Sequence, residues 1–146
     1  MKIEFLKDPS KEEPVIAVIA PARDGEVERL IAELERTYMG VVNAYADDRV
    51  QLLRQSDILR IYAEGARVWC QTEEGRFLLH ARLYEMEERL DPTVFVRISK
   101  CEIVNTRKIL RLDVSLSGTV GVVLEGNVKT YTSRRYMQRI KDVFGV

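Results

Sequence analysis

Two adjacent arginines, Arg134 and Arg135, follow Ser133 where the last amphipathic stretch of a 146-residue chain begins. Ser is a favoured helix N-cap, and Tyr136, Met137, Ile140 and Phe144 recur at helical spacing, so residues 134–144 are predicted to form a helix with one apolar face. The first turn of a helix presents backbone N–H groups without intrahelical partners and the positive end of the dipole. A helix needing only stability places Asp or Glu there. Two arginines instead make the turn a place for an anion such as a phosphate. The competing reading is that one arginine lies along a sheet and pairs with Asp113 or Glu125.

Other chemistry is thin. His80 is the one histidine, set among apolar neighbours at the end of a predicted strand, with no triad in view. No nucleophile elbow, phosphate-binding loop, dinucleotide fingerprint or paired-histidine zinc motif occurs. The acidic pairs Asp47-Asp48, Glu73-Glu74 and Glu87-Glu88 fall in predicted turns or on a solvated helix face. Cys70 and Cys101 lack CxxC spacing and neighbouring histidines, so two reduced thiols are expected rather than a zinc site or a disulfide. No enzyme, cofactor or metal is expected.

Overall charge conceals a division. The chain has 23 Lys+Arg and 23 Asp+Glu, but residues 97–146 hold 10 against 4, whereas residues 1–96 hold 13 against 19. A basic C-terminal third can concentrate positive potential on one face, as phosphate-backbone binders do, or simply make a dipolar surface. With 46% hydrophobic and 32% charged residues the composition is that of an ordinary globular domain. The longest apolar run, within residues 15–21, is far short of the ~20 residues of a membrane-spanning helix, and the start is unlike a signal peptide, so a cytoplasmic location is expected.

The elements that must hold these residues follow from periodicity. Residues 1–38 read as a separate acidic unit: β-prone runs at 2–6 and 15–20 around a proline-bearing loop, then an amphipathic helix at 24–37 capped by Asp24. This strand–strand–helix appendage is expected to mediate self-association through its helix. From residue 40 the pattern turns to short antiparallel strands at 41–46, 50–54, 58–63, 67–72 and 76–80. A helix at 83–90 is stopped by Asp91-Pro92. Strands at 95–98, 109–113, 119–124 and 128–131 follow, with 99–105 read as turn-like. On the strand holding Trp69 and Cys70, alternation sends the two side chains to opposite faces, with Trp69 the expected core member.

The stretch Phe95-Val-Arg-Ile-Ser-Lys-Cys-Glu-Ile-Val-Asn-Thr-Arg-Lys-Ile109, with the later Thr132-Ser-Arg-Arg-Tyr-Met-Gln-Arg-Ile-Lys141, closely resembles the LytTR family of bacterial DNA-binding domains. Ser56-Asp-Ile-Leu-Arg-Ile-Tyr-Ala-Glu-Gly65 extends the likeness, which covers about residues 40–146. The resemblance implies a mostly β fold of short antiparallel sheets with small helices, binding double-stranded DNA through loops laid into successive major grooves. By position it implies base reading by Asn105 and Arg135 and a third contact at the loop of Ala66 and Arg67. Lys100, Arg107, Lys108, Ser133 and Arg134 are then implied as groups that hold the DNA backbone. Asn105 reads equally well as a turn residue satisfying local N–H groups. Ala66 and Cys101 depart from the family pattern, where a polar side chain and Ser are common, and Arg67 can supply the polar group that Ala66 lacks.

The expectation is therefore a stand-alone transcriptional regulator without a receiver domain, two protomers engaging repeated promoter sites. The alternative is a protein-interaction module that uses the basic C-terminal face.

Overall fold

The computed structural model describes residues 1–12, 14–35, 37, 40–114 and 119–146. Hairpin chemistry builds most of it. Strands β1 (Val41–Ala46) and β2 (Arg49–Arg54) pair across Asp47-Asp48, with Asp47 at φ 53°. Strands β3 (Arg60–Glu64) and β4 (Arg67–Thr72) pair across Gly65, whose φ of 61° lies where a Cβ is unwelcome. β5 (Gly75–Leu79) continues the meander after a second tight turn. A seven-stranded antiparallel sheet results, in the order β2-β1-β5-β4-β3-β7-β6, completed by β6 (Phe95–Ser99) and β7 (Glu102–Asn105). A second sheet has the order β10-β9-β8, from β8 (Ile109–Val114), β9 (Val120–Leu124) and β10 (Val128–Tyr131).

Each face of the large sheet has its own cover. On one face Ala44, Ile61, Cys70, Phe77 and Ile103 pack with Leu83, Met86 and Leu90 at helix α2 (Leu83–Arg89). On the other face, at the β6–β7 end, Ile98 and Val104 join Val122 and Leu124 of the small sheet and Ile140 of helix α3 (Met137–Phe144). Elsewhere on that second face, among the described residues, Tyr45, Tyr62, Trp69 and Leu78 are half-buried and Val50 and Leu52 are exposed, which leaves it the more open side. Helix α1 (Gly25–Leu34) precedes the sheets, and its N-cap is Asp24, whose side chain accepts from the Val27 amide at 3.0 Å.

Four expectations need correction. Residues 2–6 and 15–20 form no strand and stay largely exposed; among the described residues nothing covers most of their apolar side chains, and an isolated hairpin is marginal in water. Residues 102–105, read as turn, are the strand β7, buried at all four positions between β3 and β6. A strand covered on both faces shows no alternation, and the charge of Glu102 is held by Arg60 at 3.2 Å and Thr130 at 2.7 Å. Trp69 faces the open side, paired with Tyr62 and Leu78 and lying under the Arg76 guanidinium at 3.9 Å, while Cys70 is in the core at 0% exposure. The terminal helix begins at Met137 rather than at residue 134: Ser133 makes no side-chain cap bond, and Arg134–Tyr136 form a 3-10 turn. The predicted helix at 24–37 is described as α-helical through Leu34, and residues 36, 38 and 39 lie outside the described residues.

Candidate nucleic-acid interface

One end of the large sheet gathers exposed cations. The turn between β6 and β7 presents Lys100, and it is held rigidly from below. Arg97 donates from Nε to the Ser99 carbonyl at 2.7 Å, from Nη2 to the Lys100 carbonyl at 2.6 Å and from Nη1 to Glu87 Oε2 at 2.6 Å. The Cys101 amide adds a bond to Ser99 Oγ at 3.1 Å. Such charge-assisted fixation spends the binding ability of Arg97 on shaping the turn and leaves Lys100 free to point outward.

Two further segments adjoin this turn. The Cys101 carbonyl accepts from the Ala63 amide at 2.8 Å, which brings the Lys100 turn beside the Gly65 hairpin and the exposed Arg67. The Ser133 amide donates to the Ile98 carbonyl at 2.9 Å, anchoring the 3-10 turn of Arg134 and Arg135 to the edge of β6. Both arginines are exposed. Arg135 lies 5.7 Å from the Tyr136 ring centroid, and Arg139 lies 5.1 Å from the same ring.

The salt-bridge pattern separates structural cations from free ones. Glu125 pairs with Lys108 at 3.2 Å and Asp113 with Arg111 at 3.0 Å, so neither carboxylate holds Arg134 or Arg135. Among the described residues, Arg67, Lys100, Arg107, Arg134 and Arg135 have no carboxylate partner. An unneutralised group of this kind keeps a positive potential that suits a phosphate backbone.

Asn105 occupies a different kind of position from the outward loop that the resemblance implies. It is 1% exposed, its Nδ2 donates to the Ile58 carbonyl at 2.9 Å, and its Oδ1 accepts from the Arg107 amide at 2.9 Å. A base contact from this side chain requires both bonds to break. Its place in the fold is at the far end of β7: Asn105 faces Phe95 in the ladder, three residues along β6 from Ile98, or roughly 10 Å at about 3.3 Å per residue. Arg107 and Lys108 follow it in the 3-10 turn Thr106–Lys108. Thr106 is fixed by its hydroxyl to the Val94 carbonyl at 2.7 Å.

The structure thus joins Arg67, Lys100, Ser133, Arg134 and Arg135 and sets Asn105, Arg107 and Lys108 apart from them. Arg97, to which the sequence reading gives no role of its own, is the residue that shapes the Lys100 turn, and its place in sequence is the Phe95-Val-Arg97 spacing. A separate cavity of about 320 Å³ lies between β1, β5 and α2, lined by Tyr45, His80 and Met86 among others, and none of the free cations borders it. His80 there stacks on Tyr45 with ring centroids 3.7 Å apart.

Comparison with known proteins agrees with this architecture. Residues 48–145 match the family model described as the LytTr DNA-binding domain. Uncharacterized HTH-type transcriptional regulators from Staphylococcus aureus strains NCTC 8325 / PS 47 and COL are each 32% identical over 145 residues, covering 97% of this chain and 97% of the relative. The LytTr DNA-binding domain of a Bacillus cereus response regulator superposes with a TM-score of 0.69 at 20% identity, covering 73% of this chain and 97% of that one. That likeness is one of fold. In this chain strands separate the three helices, so no two of them follow one another as a helix-turn-helix among the described elements.

Proposed function

The chain belongs to the LytTR family of DNA-binding domains, and from that premise we propose that it is a sequence-specific transcriptional regulator acting in the cytoplasm as a homodimer on repeated DNA sites. The observation that carries the reading is the group of exposed cations without carboxylate partners at one end of the large sheet. Loops rather than a helix enter the major groove. Arg135 is the base reader, because a guanidinium bonds bidentately to guanine O6 and N7. Arg134, Lys100 and Arg67 hold the flanking phosphates, and the Ser133 hydroxyl, free of any capping bond, adds a neutral contact. Arg107 and Lys108 extend the phosphate track toward the far end of β7. Asn105 acts from within, fixing the turn that carries them.

Binding should be measured for wild type and Arg135→Ala on a selected site and on a scrambled site, across a salt series. Loss of discrimination by about 5- to 150-fold, the equivalent of 1–3 kcal/mol for one bidentate base contact, supports the role of Arg135. Equal selectivity in the variant refutes it. Wild-type binding that shows no preference between the two sites and disappears on modest added salt leaves an electrostatic patch and refutes the regulator reading.

A further inference from the structure

The N-terminal segment and one sheet edge are each unpartnered, and their chemistries match. Met1, Ile3, Phe5, Leu6, Val15 and Ile19 are between 70% and 105% exposed. Lys2 Nζ and Glu4 Oε1 form an ion pair at 2.7 Å, which places these i and i+2 side chains on one side of an extended backbone and Ile3 and Phe5 on the other. The segment 2–6 therefore has the alternation of an amphipathic strand while remaining irregular and exposed in its own chain.

The edge that fits it is β2. Its six residues pair with β1 in unbroken register and, among the described residues, have no strand on the other side. Val50 and Leu52, on the open face of the large sheet, are 55% and 61% exposed. Other edges are blunted in ways that natural sheets use against pairing. β6 has a register shift between Arg97 and Ser99 and gives its Ile98 carbonyl to Ser133, and β8 has a register shift between Ile109 and Arg111. β10 is only four residues long and carries Lys129.

We infer that segment 2–6 of one copy adds as an antiparallel strand to the free edge of β2 in a second copy, and reciprocally, so that a swapped dimer closes with two-fold symmetry. This rests on the two-protomer reading above and names its contact. The antiparallel register sets Phe5 opposite Val50 and Ile3 opposite Leu52, continuing the apolar band of Tyr45, Leu78 and Trp69. It also puts Lys2 beside Leu53 and Leu6 beside Arg49, whereas the parallel arrangement that matches Ile3 to Val50 and Phe5 to Leu52 sets Lys2 against Arg49. The second copy, not the same chain, is the occupant because within one chain the segment stays unpaired although its own β2 edge is open. Helix α1 is a weaker contact element, since its apolar side chains Val27, Leu30, Ile31 and Ala32 are already half-buried or buried in its own chain.

The test is sedimentation of the full chain at tens of micromolar with disulfide trapping in a Cys101→Ser background. Wild type should sediment as a dimer, Phe5→Asp and Val50→Asp as monomers, and Tyr84→Asp, an exposed change on α2, as a dimer. Mixing a Phe5→Cys chain with a Val50→Cys chain should give a covalent dimer upon oxidation, and an Ile3→Cys chain with a Val50→Cys chain should not. A monomeric wild type, a dimeric Phe5→Asp, or internal closure without dimer in a chain carrying both Phe5→Cys and Val50→Cys overturns the inference. DNA selectivity fails or survives independently: a trapped dimer without selectivity counts against the regulator reading alone, and a selective monomer counts against the swap alone.

Discussion

Replacing Asn105 by Ala should unfold the domain more readily without touching its selectivity for DNA. The side chain is 1% exposed and bridges two segments of backbone, from the Ile58 carbonyl at 2.9 Å to the Arg107 amide at 2.9 Å. Ile58 is 0% exposed, so its carbonyl loses a partner that water cannot replace, at about 1–3 kcal/mol. The Arg107 amide is only partly buried and regains water, which limits its share to about 1 kcal/mol. The total, about 2–4 kcal/mol, lowers the melting temperature by roughly 6–12 °C at about 3 °C per kcal/mol for a chain of this size. Asn105→Asp keeps the acceptor for Arg107 but turns an oxygen toward the Ile58 carbonyl, so it should be destabilised as well. The assay is thermal and urea denaturation, followed by DNA binding at a temperature where the variants remain folded. A variant within about 0.5 kcal/mol of wild type that has lost discrimination between sites refutes the reasoning and restores Asn105 as a base reader.

Other outcomes follow from the same geometry. Ile140→Ala should cost about 2–5 kcal/mol in urea unfolding, since Ile140 is 0% exposed and joins α3 to both sheets. Lys100→Ala and Arg67→Ala should each leave the preferred sequence unchanged and reduce the slope of log affinity against log salt by about 1. Burial pushes the Cys70 thiol up to about 12, so the unfolded chain releases this proton first. The Cys70 contribution to folding stability is then flat below about pH 8.5 and falls as pH rises from there toward 12, by up to about 1.4 kcal/mol per unit, a pH dependence that Cys70→Ala should lack. At pH 8 a thiol reagent should label the exposed Cys101 and spare Cys70.

The strands and hairpins were largely legible in the sequence because their signals are local. Arg67–Thr72 and Val128–Tyr131 come directly from β-branched and aromatic runs bounded by turn residues. What escaped depended on partners distant in the chain. β7 is hidden because its glutamate looks solvated until Arg60 and Thr130 are seen to hold it. Trp69 has the size of a core residue, but the register fixed by Cys70 opposite Ile61 and Phe77 turns it outward. The basic residues of the interface were legible as types, and the grouping of Lys100 with Arg67 and Arg135 was not, since it rests on the bonds from Ala63 to Cys101 and from Ser133 to Ile98. Asn105 shows the same limit: its motif position is plain in sequence, while its burial is a property of the fold.

Selection of bound fragments from random duplex DNA, at an ionic strength near physiological and followed by sequencing, tests the central claim most directly. Enrichment of a defined sequence in two copies about one helical turn, roughly 10 base pairs, apart is the predicted result, and Arg135→Ala should fail to enrich it. Fragments recovered without any shared sequence, from a folded protein whose binding fades with modest salt, contradict the account.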